Sequence, residues 1–202
     1  MAREKSHSKE QISTFLNEIN TQTDRGAAVI AASVLDDILK QLLFARLIKL
    51  SSDRRESMFE RTGAPLSTFS SKIEMGFALG CYTNDIRLCL HLVRDIRNQF
   101  AHRMEQITFD HPEVAAMLTA RALPSFKRQG RSTRGTYSDI FSVVAVMLYA
   151  TLSGDIRLKS LEETHQAHFA AVTNKMIDVV REASAKQKVA TPQSDQSPTK
   201  LT

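Results

Sequence analysis

The sequence predicts an all-α protein, a helical bundle of about seven to eight helices followed by a disordered C-terminal tail. Three observations carry this. The 202 residues include only 7 Gly and 5 Pro, too few turn-formers for a fold built from many hairpins. Ala, Leu, Ile, Arg, Lys and Glu recur at helical spacing. Hydroxyl residues stand where helices should begin, and glycines where they should stop. Apolar residues make up 42% of the chain, enough for one core, and aromatics only 6%.

Residues 8–20 (SKEQISTFLNEIN) read as a short amphipathic helix. Residues 25–50 (RGAAVIAASVLDDILKQLLFARLIKL) read as a long helix apolar enough to be buried on more than one side, as at the centre of a bundle. Asp36 and Asp37 interrupt it and read as a solvated or capping face. Residues 54–63 suggest a short helix stopped by Gly63. Ser67 or Thr68 can cap a helix to about Leu79, with Gly80 as its stop, and Thr83 can cap the next, which runs to about His102. Pro112 fits the first turn of a further helix. Residues 124–136 (PSFKRQGRSTRGT) read as a basic loop carrying Lys127, Arg128, Arg131 and Arg134. An almost wholly apolar helix starts near Tyr137, and an amphipathic one covers about 160–183. Residues 186–202 lack nearly all large apolar side chains and are expected to be disordered. The expected organisation is an N-terminal helix and linker at 1–24, a helical domain at 25–185 and the tail.

The net charge of +5 and pI of about 9.4 are compatible with nucleic acid without requiring it. Cys81 and Cys89 have neither metal-ligand nor redox spacing, which suits a reduced, cytoplasmic protein. No signal peptide, membrane span or cofactor is expected, since no glycine run suits a phosphate cradle. His165 and His168 alone make too small a set for a metal.

The most informative stretch is RDIRNQFAH, residues 94–102. On a helix at 100° per residue, Ile86, Cys89, Val93, Ile96 and Phe100 form one arc. Arg87, His91, Arg94, Asn98 and His102 form the opposite arc, with Asp95 beside them and Arg97 on the flank. That polar arc contains neither Lys nor Glu. Arg, His and Asn are residue types that hold phosphates or build polar interfaces. It is equally the composition of a solvated face or a seam between subunits.

Arg97-Asn98-Gln99-Phe100-Ala101-His102 resembles the R-x4-H motif of HEPN domains, helical and often dimeric proteins, many of them metal-independent endoribonucleases. That resemblance implies a catalytic Arg97 and His102 with Asn98 assisting. From the residues themselves, Arg87, His91 and Arg94 are candidate binding residues, and the loop cations Lys127, Arg128, Arg131 and Arg134 read first as a flexible surface loop and second as a holder of flanking phosphates. A second resemblance covers residues 25 to about 160. The long apolar helix, GAPLSTFSSKIEMGFALG (63–80), RNQFAH and ITFDHPEV (107–114) look like the mannitol-operon repressor family. That family is all-α and lacks a helix-turn-helix, and it implies transcriptional regulation through a protein partner. Two readings follow: a regulator that binds protein, or a ribonuclease. A homodimer is expected, and the ribonuclease reading needs one, because Arg97 and His102 stand roughly 140° apart on one helix and a second copy would complete a site.

Overall fold

The computed structural model describes residues 9–127 and 130–154. The expected late helix, the tail, His165, His168 and Arg128 lie outside them. The described residues form seven α-helices, one 3-10 turn and no strand, so the all-α expectation holds. The helices are α1 (Lys9–Thr21), α2 (Asp24–Arg46), α3 (Ser52–Phe59), α4 (Phe69–Ala78), α5 (Asn84–His102), α6 (Pro112–Arg121) and α7 (Thr133–Ser153), with the 3-10 turn at Pro124–Phe126.

Helix α2 is the hub and touches α1, α4, α5 and α7. Its first half owes this to size: Ala27, Ala28, Ala31 and Ala32 are all buried and let neighbouring helices come close. Further along, Leu35, Ile38, Leu39, Leu42 and Leu43 fill the core. The helix ends at Arg46, earlier than its apolar run suggests, and Leu47 turns extended. Leu43 then joins Phe59 and Leu66 in a small second core beneath α3. Helix α3 is also shorter than expected. It stops at Phe59, and Gly63 takes a left-handed conformation (φ 76°) in the turn beyond it.

The predicted caps form at both central positions. Thr68 Oγ1 accepts the Ser71 amide at 3.1 Å, and Thr83 Oγ1 accepts the Ile86 amide at 3.5 Å. All five residues of the predicted apolar arc of α5 are buried. The basic loop is shorter than its composition suggests. Ser132 caps α7 by accepting the Gly135 amide at 3.0 Å, so the helix begins at Thr133 rather than near Tyr137. That added turn makes α7, among the described residues, long and apolar enough to cross a membrane by length and composition. Two thirds of its most apolar stretch is nonetheless buried inside the bundle, the position of a core helix.

Two contacts fix how the layers meet. The rings of Phe100 (α5), Phe109 and Tyr137 (α7) form a column with centroid separations of 5.0 and 4.7 Å. Tyr137 ends it by donating its hydroxyl to the Ala28 carbonyl of α2 at 3.3 Å. At the opposite end, Tyr82 lies across α4 and donates its hydroxyl to the Ile73 carbonyl at 2.6 Å. This approach requires Gly76, because a Cβ there would stand 2.6 Å from the Tyr82 hydroxyl oxygen. Lys72, buried on α4, reaches Asp36 of α2 at 3.0 Å. Asp36 is therefore a half-buried partner rather than a solvated carboxylate, while Asp37 is exposed. Burial raises the Asp36 carboxyl above its usual range despite the ammonium beside it.

Gly76→Ala is expected to destabilise the protein by about 1–3 kcal/mol through overpacking against Tyr82, although alanine is the better helix former. Urea denaturation checks this. Pairing the change with Tyr82→Leu should give a loss smaller than the sum of the single losses.

Candidate functional site

The polar arc of α5 faces α4 and α6, and most of it is engaged within the chain. Glu74 of α4 accepts the Arg87 Nε–H at 3.0 and 3.1 Å on its two oxygens and stands 2.6 Å from His91 Nε2. The Arg87 guanidinium also lies 5.2 Å from the centre of the Phe77 ring. One helical turn on, Arg94 donates to Ser70 of α4 at 2.5 Å and to Asp95 Oδ1 through Nε and Nη2 at 3.0 and 2.6 Å. The other Asp95 oxygen accepts Arg121 of α6 at 2.7 Å. The result is a seam of alternating charge from α4 across α5 to α6. Glu74 and Ser70 are four residues apart and so lie on one face of α4, matching Arg87, His91 and Arg94 on α5.

These contacts set the charge states of the two carboxylates. Bonds from Arg87 and His91 hold Glu74 below its ordinary value. For Asp95, burial pushes the pKa up, but bonds from Arg121 and Arg94 outweigh it and leave the carboxyl low. Both are therefore ionised near neutrality and neither serves as a general acid.

The C-terminal end of α5 differs. Arg97 is half-buried and donates to Asn98 Oδ1 at 3.1 Å. His102 is exposed and has no hydrogen-bond partner among the described residues. The sequence thus brings Arg97 and Asn98 together but leaves His102 apart from them. Arg103, the residue after the helix, is held on every side. It donates to Gln99 at 3.3 Å, faces His111 Nε2 at 3.4 Å and pairs with Glu113. Arg25 of α2 pins the loop that follows, donating to the carbonyls of Arg103 and Glu105 at 2.8 and 2.6 Å.

The basic loop supplies fewer free cations than it has basic residues. Arg131 makes a two-point contact with Asp139 at 3.0 and 2.7 Å. Arg134 pairs with Asp24 and donates to the carbonyls of Ile19 and Gln22 at 2.8 and 2.7 Å. Both guanidinium groups hold the fold together at the α1–α2 turn and the start of α7. Lys127 is exposed and has no acidic partner among the described residues.

Other chemistry is sparse. Among the described residues no three His, Cys, Asp or Glu side chains stand together as a metal site would need. Cys81 and Cys89 are buried, and burial pushes both thiols up, Cys89 to about 12, so neither supplies a thiolate near neutral pH. The residues that sequence reasoning passes over are the partners: Asp24, Arg25, Ser70, Glu74, Arg103 and Arg121. Each is an unremarkable polar residue until another helix is placed beside it.

Two outcomes are expected. Arg94→Ala should cost about 1–2 kcal/mol, since it removes charge-assisted bonds on a partly buried seam, whereas His102→Ala should stay within about 0.5 kcal/mol. Thermal melts of the two variants distinguish them. Acid should also loosen the seam. Carboxyls depressed in the folded state stabilise it above their unfolded values of 4.5 (Glu74) and 3.8 (Asp95), and that stabilisation disappears as pH falls through the folded values. Stability measured from pH 6 down to pH 2 should fall below about pH 4.5, and less steeply in Glu74→Gln than in the parent protein.

Comparison of the chain with protein-family models, with curated proteins and with solved structures finds no match in any of the three.

Proposed function

We propose that this chain is a non-enzymatic interaction module that regulates transcription through a protein partner, as its resemblance to the mannitol-operon repressor family implies. One observation carries the reading. The polar face of α5, the richest chemistry in the sequence, is engaged by Glu74, Ser70, Asp95 and Arg121 of the same chain. A face closed in this way sets the angles between helices and leaves little for a substrate. Arg131 and Arg134 serve the fold in the same manner.

A second reading is favoured by one feature, the exposed His102 imidazole that ends the helix carrying the Arg97–Asn98 contact. In a ribonuclease of the HEPN kind, the 2′-hydroxyl of RNA attacks the adjacent phosphorus and the 5′-oxygen of the next nucleotide leaves, giving a cyclic phosphate. His102 would carry the proton and Arg97 would hold the non-bridging oxygens. The roughly 140° between these residues on one helix means that a homodimer would have to supply the second half of the site.

Incubating the purified protein with mixed cellular RNA in the presence of a chelator separates the two. The regulator reading expects intact RNA. Cleavage that is lost in both Arg97→Ala and His102→Ala would overturn it in favour of the ribonuclease.

A further inference from the structure

The corner where α2 gives way to α3 carries a surface outside the α5 seam. Residues 46–61 contain five cations and three acids. The acids are all engaged locally: Asp53 and Glu56 hold Arg61, at 2.8 and 3.4 Å, and Glu60 holds Lys40 at 2.7 Å. Arg46, Lys49, Arg54 and Arg55 have no acidic partner among the described residues. Arg46, Lys49 and Arg54 are exposed.

Among these cations stands Ile48, 83% exposed. Its position is fixed from both sides. Leu47 and Leu50 pack on the small core formed by Leu43, Phe59 and Leu66, and Ser51 caps α3 by accepting the Arg54 amide at 3.4 Å. The Arg55 guanidinium lies 5.0 Å from the centre of the Phe44 ring, which sets the cation at the edge of the same corner. An aliphatic side chain this exposed takes little part in the packing of its own chain and is available to a partner.

We propose that this corner is a docking surface for an acidic segment of a partner protein, one that offers a carboxylate cluster to Arg46, Lys49, Arg54 and Arg55 and an apolar pocket or side chain to Ile48. The proposal rests on the regulator reading and names the surface and the partner's chemistry. Two features favour an acidic peptide over a nucleic acid. Binding of single strands draws on exposed aromatic faces, whereas Phe59 is buried and Phe44 is covered by Arg55 and Phe59. The paired Asp53, Glu56 and Glu60 also lie among the cations, and they oppose a continuous line of phosphates while leaving room for individually placed carboxylates. A membrane surface is disfavoured because Ile48 is the only large apolar side chain of the corner that is mostly exposed.

The test uses the full chain and three fluorescent probes: a 16-residue peptide of alternating Glu and Leu pairs, a 16-nucleotide single-stranded RNA and phosphatidylserine vesicles. Polarisation or co-sedimentation is read at 50 and 200 mM salt. The expected result is salt-sensitive binding of the peptide. Arg54→Glu combined with Arg55→Glu should weaken it at least tenfold, and Ile48→Ser should weaken it by about tenfold, the loss expected when one aliphatic contact is removed. Circular dichroism of each variant should remain that of the parent, since Ile48 and Arg54 are exposed; Arg54→Glu alone, which leaves the Arg55–Phe44 contact in place, should weaken binding in the same direction and keeps the test valid if the double change disturbs the fold. Tighter binding of RNA or vesicles than of peptide through the same residues would overturn the assigned partner class. Absence of binding to all three probes, or peptide binding that these substitutions leave unchanged, would overturn the surface itself. None of these outcomes bears on RNA cleavage, so the surface and the regulator reading fail separately.

Discussion

The fold depends on one carboxylate at the start of its central helix. Asp24 accepts the Phe109 amide at 2.8 Å on one oxygen and pairs with Arg134 on the other. It sits in the first turn of α2, where the helix dipole favours negative charge. Arg134 reaches past it to carbonyls at the end of α1. A single side chain thereby joins the α1–α2 turn, the segment between α5 and α6, and the start of α7. Beside it, Arg25 fastens the loop that leaves α5. The carbonyls engaged by Arg25 and Arg134 would otherwise depend on water, and linking them keeps the end of α5 in a fixed place.

The apolar and polar constraints meet at the same point. Phe109, whose amide Asp24 accepts, is the middle ring of the column from Phe100 to Tyr137. The column orients α5 and α7 around α2, and the clamp fixes their depth along it. At the far end Tyr82 over Gly76 and Lys72 against Asp36 do the same for α4. A buried lysine facing one half-buried carboxylate contributes little net stability compared with an apolar pair of similar shape, but it has one satisfactory register, and a shift of α4 along α2 would strand the charge.

This economy of polar groups shapes the functional reading. Ion pairs that join helices set their geometry, and a cation already bound to a carboxylate and two carbonyls offers little to a phosphate. Among the described residues, groups left without a partner include the imidazole at the end of α5, Lys127 and the cations around Ile48. The imidazole and the Ile48 corner lie on different elements, which is why the enzymatic and the binding readings can be separated by substitution.

How much of this was legible beforehand divides along a physical line. Period, caps and breakers are local, so the all-α class, the Thr68 and Thr83 caps, and the buried arc from Ile86 to Phe100 follow from the order of residues alone. Local signals misplaced the end of α2, where Leu47 and Leu50 leave the helix to reach a second core that periodicity does not reveal. They also read Arg131 and Arg134 as a free basic loop, because their partners lie 8 and 110 residues away. Asp36 looked solvated because Lys72 comes to it from another helix. The sequence by itself determined which faces are apolar and where most helices begin. Only the tertiary structure decided which charges are neutralised, because pairing depends on distances between helices, and those are set by how side chains of different size pack in the core.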